Sequence, residues 1–213
     1  ESVKKSTNMN GFEAALYGVV QGITEYLPVS SSAHLVLLPK FLHTEDPGLV
    51  FDVFLHFGTL LATLIFFWKD WAEVLRPDRL RENLTRPTGV SLLNLIVGTI
   101  PGAVAGFLLQ KWADTVFRGE GVIVVTQAVG GVFLYVADRW ARTARPIEEM
   151  GFGEAVSIGL FQCLALVPGM SRSGSTMTGA RLLGFTREAS ARFSFLLSAP
   201  ITAGAIGYEL LKH

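Results

Sequence analysis

Residues 159–176 read Gly-Leu-Phe-Gln-Cys-Leu-Ala-Leu-Val-Pro-Gly-Met-Ser-Arg-Ser-Gly-Ser-Thr. An apolar run that began near residue 152 breaks at Pro168-Gly169, crosses four hydroxyls and one arginine, and turns apolar again toward residue 185. Residues 12–42 have the same form, with the break at Pro28 and serines at 30, 31 and 32. A constant shift of 141 residues superposes Glu13, Ala14, Gly18, Gln21, Ser30 and Ser32 on Glu154, Ala155, Gly159, Gln162, Ser171 and Ser173. Without a gap it goes on to pair Phe54, Leu55 and Ala62 with Phe195, Leu196 and Ala203. A register kept that long marks an internal repeat, and each copy reads as a re-entrant helical hairpin.

The whole chain supports a lipid setting. Of 213 residues, 50% are hydrophobic and 17% charged, against about 25% charged in soluble domains, and the mean hydropathy is +0.42. The 22 glycines suit membrane helices, whose backbones approach closely where side chains are small. Eighteen basic and 18 acidic residues cancel, so no overall field draws the chain to nucleic acid. The lone Cys163 permits no internal disulfide.

Stretches 49–68, 90–110 and 121–137 are apolar enough to span about 30 Å of hydrocarbon at about 1.5 Å per residue. Residues 189–211 form a fourth span, interrupted by Pro200, Gly204 and Gly207. Polar connections set the orientation, because Lys and Arg in short loops stay cytoplasmic. Residues 69–89 carry Lys69, Arg76, Arg79, Arg81 and Arg86, residues 138–149 carry Arg139, Arg142 and Arg145, and the loop between has only Lys111 and Arg118. The first and third loops therefore go inside, and the first hairpin opens on the outer side. Under this topology the two repeats are inverted, and such folds bind near the midplane between broken helices. The predicted class is an all-α integral membrane protein of inverted repeats, each a re-entrant hairpin followed by transmembrane helices. Residues 1–8 are set apart as an added or disordered tail, with Met9 a native start.

Ionisable groups inside apolar segments are costly and are read as functional by default. The first hairpin brings Gln21 and Glu25, four apart on one helix face, then Ser30, Ser31, Ser32 and His34. The second brings Ser171, Arg172, Ser173, Ser175 and Thr176. Gly169–Thr176 resembles a phosphate loop in spacing, but Ser175 stands where lysine belongs and no strand precedes it, which excludes the nucleotide reading. The anion-binding physics remains: a backbone curled at glycines, freed N–H groups, a helix from about Thr176, and a guanidinium that takes phosphate bidentately. Blander readings stand beside this one. Ser32, Gly174 and Ser175 would serve as caps and close contacts, Glu25 and His34 as a mutually satisfied pair, and His56 and Asp52 as supporting or interfacial groups. His43 and the four tryptophans, Trp68, Trp71, Trp112 and Trp140, read as interface anchors.

Two motifs carry a resemblance. Gln21-Gly-Ile-Thr-Glu25, continuing to His34, fits an (E/Q)-x-x-x-E element, and Pro168 to Thr176 fits P-G-x-S-R-S-x-x-T. Over residues 11–211 the chain resembles the bacterial undecaprenyl-diphosphate phosphatases, the bacitracin-resistance family. That resemblance implies a multi-pass hydrolase of the bacterial inner membrane whose site faces the periplasm. Its lipid substrate is a prenyl diphosphate, and its product is the carrier lipid for peptidoglycan synthesis. The residues carried over are Gln21, Glu25, Ser30, Ser31 and His34, with Ser171, Arg172, Ser173 and Thr176. Gln21 stands where many members have glutamate, which weakens any scheme with two carboxylates on a metal. Residues 9–213 are expected to form one membrane domain, with repeat one about 12–68 and repeat two about 153–211, lacking C-terminal helices that relatives carry.

Hydrolysis of a diphosphate needs an in-line nucleophile and neutralisation of phosphoryl charge. Arg172 and the N–H groups of 171–176 are expected on the diphosphate, with Ser171, Ser173, Thr176, Gln21 and Ser30 lining it. Glu25 is a general base or the ligand of a Mg2+ or Ca2+ ion; His34 is the nucleophile or the base for Ser31 or water. The rival is a transporter or flippase of an anionic prenyl-phosphate lipid. An acid-phosphatase-like scheme needs a histidine soon after its Ser-Arg, and none lies between Arg172 and His213.

Overall fold

The computed structural model describes residues 9–85, 88–116, 119–141 and 144–212, and among these it is helical, with no strand beyond one isolated bridge between Arg145 and Phe185. The expectations for residues 1–8, Arg86, Arg118 and Arg142 lie outside the described residues, as do those for the side chains of Lys111 and Trp112.

The first triplet is α1 (Gly11–Tyr26), α2 (Ser31–Leu42) and α3 (Leu49–Phe66). A bend of 72° at Phe67 turns α3 into α4 (Trp68–Val74), followed by the short α5 (Leu80–Thr85). The stretch read as a polar connection after residue 68 thus holds two helices. By length and composition α3 qualifies as a span together with α4, as a bent pair. Then come α6 (Leu92–Val116) and α7 (Glu120–Trp140), both apolar enough to cross a membrane. The second triplet is α8 (Phe152–Gln162), extended by a 3-10 turn at Cys163–Leu166, then α9 (Arg172–Leu182) and the long α10 (Arg187–Lys212), a further candidate span.

Corresponding residues do corresponding local work. Asn10 caps α1 and its N–H donates to Glu13 Oε2 at 3.0 Å; the N–H of Gly151 before α8 donates to Glu154 Oε2 at 3.1 Å. Such glutamates satisfy donors that a helix start leaves unpaired. The helix after the second break starts at Arg172, earlier than the expected Thr176. Ser171 explains the difference, because its hydroxyl accepts the Gly174 N–H at 3.1 Å and caps the first turn.

α3 and α10 pack together and run antiparallel. Asp70, just beyond the bend, takes Arg192 near the start of α10 at 2.5 Å, whereas Val53 and Ile206 line one cavity at the opposite end. Around the start of α10, Asp138 holds Arg187 at 2.5 Å and Arg181 at 3.0 Å, and Arg145 reaches Glu154 at 2.9 Å. The core lies under this ionic collar, where Phe185, Phe193, Leu196 and Leu197 are fully buried with Met150 and Ile158. Trp71 packs against that core instead of standing at an interface, while Trp68 and Trp140 are exposed. Elsewhere large apolar side chains face outward on α1, α3, α6 and α7, a surface that suits a lipid setting.

α6 makes its largest contact with α8. There Gly159 lies so close to the Gly98 carbonyl that a Cβ would collide with it, and a Cβ at Gly102 would meet the Gln162 amide at 2.7 Å. In lipid, such close backbone contact replaces the hydrophobic drive that holds soluble helices together.

Candidate active site

The two breaks meet. α1 ends at Tyr26 ahead of Pro28, and α9 begins at Arg172 behind Pro168 and Gly169, so both chain interruptions present polar groups to one place. Ser173 Oγ donates to the Leu27 carbonyl at 3.1 Å, which ties the second break to the first. Since that carbonyl can only accept, Ser173 uses its proton there and receives the Ser171 hydroxyl, 2.9 Å away.

Glu25 is the hub. Its Oε1 accepts Arg172 Nη2 at 2.7 Å, and its Oε2 accepts Ser31 Oγ at 2.6 Å and Gln21 Nε2 at 3.1 Å. The side chain is only 9% exposed, as is Ser31, so this carboxylate is buried with a full set of partners. A buried charge is tolerable only with such pairing. A second Arg172 nitrogen makes a long contact of 3.5 Å with the Ser194 carbonyl.

Ser30, just before α2, is held by its neighbours. Ser30 has φ 58°, a left-handed conformation that non-glycine residues adopt at a cost. The His34 ring stabilises it: Nδ1 lies 2.8 Å from the Ser30 carbonyl, and must be the protonated nitrogen because a carbonyl cannot donate. His34 is thus a brace for the residue preceding Ser31 and does not line the cavity around Glu25. Thr176, wholly buried, puts its hydroxyl 2.9 Å from the Arg172 carbonyl and 2.6 Å from Ser194 Oγ, inside the protein. Gln21 is equally buried and acts on Glu25 alone.

A cavity of about 390 Å³ opens on the group, and Ser30, Ser31, Glu25, Ser171 and Arg172 line it. The sequence left His56 and Asp52 open; both line it too. His56 Nδ1 donates to the Asp52 carbonyl at 2.7 Å, and its Nε2 stands 3.9 Å from Glu25 Oε2. Residues that sequence reasoning missed are Gln162, whose Oε1 is buried without a hydrogen-bond partner at the cavity wall, Ser194, and Thr126 on α7. Thr126 Oγ1 is 2.5 Å from the Pro168 carbonyl, and Gly169, at φ 93°, is pressed against it where a Cβ would collide. The available signal was a polar residue inside an apolar helix.

For a resident metal ion the donor set fits poorly. Among the described residues no three His, Cys, Asp or Glu side chains converge closely enough to hold one ion, although Glu25, Asp52, His56 and Glu209 line the same cavity, and both Glu25 oxygens are already engaged.

Comparison with known proteins gives a consistent answer. The chain is 48% identical to the undecaprenyl-diphosphatase of Desulforudis audaxviator over 96% of its length and 77% of that protein. It is 49% identical to the undecaprenyl-diphosphatase of Gemmatimonas aurantiaca over 93% of its length and 75% of that protein. The family model described as bacitracin resistance protein BacA matches residues 14–213, which include both breaks and every residue gathered around Glu25. With that match over nearly the whole chain, the protein belongs to the bacitracin resistance protein BacA family.

Proposed function

We propose that this protein is a membrane hydrolase that converts undecaprenyl diphosphate to undecaprenyl phosphate and inorganic phosphate, recycling the carrier lipid for cell-wall synthesis. The observation that carries the proposal is the single carboxylate shared by a nucleophile and a cation: Ser31 Oγ on one Glu25 oxygen, Arg172 on the other. Transport of the same lipid needs no nucleophile, whereas this arrangement bonds a hydroxyl to a carboxylate at 2.6 Å beside a cation.

Ser31 Oγ attacks the terminal phosphorus, the bond to the bridging oxygen breaks, and Glu25 takes the serine proton. Arg172 turns from Glu25 to the phosphoryl oxygens, where charge accumulates in the transition state. The positive end of α9, capped by Ser171, adds to that field. Water then frees the phosphate from Ser31. An apolar cavity of about 240 Å³ between α3 and α10 adjoins the polar one through Val53 and Ile206, and it supports a prenyl chain beside the diphosphate. A Mg2+ or Ca2+ ion belongs with the substrate in this reading, since such ions are carried by phosphate oxygens with few protein ligands.

The molecule is read as one domain of inverted repeats in the bacterial inner membrane. Antiparallel α3 and α10, related by the 141-residue shift, support the inversion. The ionic collar around the start of α10 and the arginine-rich connections support a cytoplasmic face there, with the cavity opening toward the periplasm. The test is phosphate release from a prenyl diphosphate in detergent, with no gradient across any membrane. Release that stops in Ser31→Ala and Arg172→Ala variants is expected; a folded Ser31→Ala variant releasing phosphate at the wild-type rate refutes the scheme.

A further inference from the structure

Two histidines stand near the breaks, and their rings face different work. Each donates Nδ1–H to the carbonyl four residues earlier, which leaves Nε2 as the free ring atom. For His34 that donation braces Ser30, and the ring lies outside the cavity wall. His56 belongs to the wall, shares the cavity with Ser31 and Arg172, and its side chain is 32% exposed. Its Nε2 is 3.9 Å from the same Glu25 oxygen that accepts Ser31, too far for a direct hydrogen bond.

The charge relay through Glu25 leaves one proton acceptor missing. Once Glu25 has taken the Ser31 proton it is a neutral acid, and it cannot also deprotonate the water that must release the phosphate. Arg172 has no lone pair to offer. The other titratable groups facing His56 are Glu25 from α1, Arg172 from α9, Glu209 from α10 and Asp52 on its own helix. Of this set, His56 presents an imidazole lone pair into the cavity beside Glu25, and its side chain is partly exposed.

We propose that His56 is the proton acceptor in the hydrolysis of phosphorylated Ser31, a role that rests on the Ser31 reading given above. The water oxygen bonds to phosphorus as the Ser31 Oγ–P bond breaks. His56 Nε2 takes the water proton, and the Ser31 alkoxide recovers its own proton from Glu25. Inorganic phosphate leaves, serine and carboxylate are regenerated, and imidazolium loses its proton to solvent. Fixing Nδ1–H on the Asp52 carbonyl holds the ring in the tautomer that this step needs.

The experiment follows both products and the protein itself in wild type, His56→Gln, His56→Ala and Ser31→Ala. In His56→Gln the first step survives and the second stalls. Undecaprenyl phosphate appears as a burst equal to the enzyme, a phosphoryl adduct maps to Ser31 by peptide mass, and steady-state phosphate release falls on the order of 100-fold. Added imidazole restores release by His56→Ala, which separates lost base chemistry from lost folding. The proposal is overturned if His56→Gln turns over like wild type, or if turnover falls with no adduct on Ser31. Wild-type turnover by Ser31→Ala would instead overturn the Ser31 scheme from which it starts.

Discussion

Arg172 Nη2 and Glu25 Oε1 lie 2.7 Å apart across 147 residues of sequence, and this pair joins the two broken helices at their polar ends. In the proposed mechanism the pair holds the site's cation on its base until a phosphate arrives, and removing either partner leaves the other's charge unpaired, at a cost that grows with the depth of that charge. Arg172→Ala leaves the buried carboxylate uncompensated, a loss of about 3–5 kcal/mol. Glu25→Gln keeps shape but leaves the Arg172 guanidinium without its counter-charge; that group is somewhat more exposed than the carboxylate, 16% against 9%, so its loss of stability is expected to be the smaller of the two while turnover falls by a factor on the order of 100 or more. Melting in detergent together with phosphate release separates the two. Unchanged melting in both variants would contradict the pairing.

What the sequence made legible here was the interruption itself. Pro28 and Pro168 with their hydroxyls, the embedded Glu25 and Arg172, and the 141-residue shift all act locally, through backbone breaks and the cost of charge in lipid. What stayed hidden depends on the crossing of distant helices. Nothing near His56 says that its ring turns to Glu25 on α1, and nothing near Thr126 says that it meets Pro168 on the other side of a loop. The bend at Phe67 was equally unreadable, because apolar character continues through it into Trp68. Thr176 was the converse case. A motif position marked it for the substrate, while packing against α10 puts its hydroxyl on Ser194.

That placement of Thr176 is testable by a change of polarity without a change of shape. Thr176→Val keeps the volume and leaves Ser194 Oγ without its 2.6 Å partner, at about 1–3 kcal/mol for a buried polar group left unpaired. Thr176→Ser restores the hydroxyl. The valine variant is expected to melt earlier with KM for the lipid diphosphate unchanged within about twofold, and serine to behave as wild type. A tenfold rise in KM at unchanged melting temperature would put the hydroxyl on the substrate after all.

Thr126 acts at a distance on Arg172, by holding the Pro168 carbonyl four residues before it. Valine in its place removes the donor with little change in shape, freeing a break whose Gly169 is already at φ 93°. Misplacement of about 1 Å in a group that must meet a transition state costs on the order of 100-fold. Thr126→Val should therefore lower kcat far more than it lowers stability, and Thr126→Ser should recover it. Steady-state kinetics with both variants decides, and a wild-type kcat for Thr126→Val would remove Thr126 from the mechanism.

The cation expectation has a direct thermodynamic check. If Mg2+ or Ca2+ comes with the diphosphate, calorimetric titration of the lipid-free protein should show no saturable site tighter than about 1 mM, a weak range for oxygen-ligand sites. Chelation should still slow phosphate release, with recovery following the concentration of the metal–diphosphate complex. Micromolar binding to the lipid-free protein would show that Glu25 exchanges Arg172 for a resident ion.

The repeat offers an internally controlled test of packing. Gly18 and Gly159 are related by the 141-residue shift, yet only the second is in contact: a Cβ at Gly159 would strike the Gly98 carbonyl, whereas one at Gly18 meets nothing within 4 Å. Both sit inside helices with ordinary backbone angles, so alanine gains helix propensity equally at either, about 1 kcal/mol. At Gly18 that gain should appear as a small rise in melting temperature. At Gly159 the collision is with backbone, which cannot rotate away, so α6 and α8 must separate and lose their close contact. Overpacking of this kind costs about 1–3 kcal/mol, so Gly159→Ala should melt well below Gly18→Ala in the same detergent. Should the two variants shift together, the α6–α8 contact is not what holds the second hairpin in place.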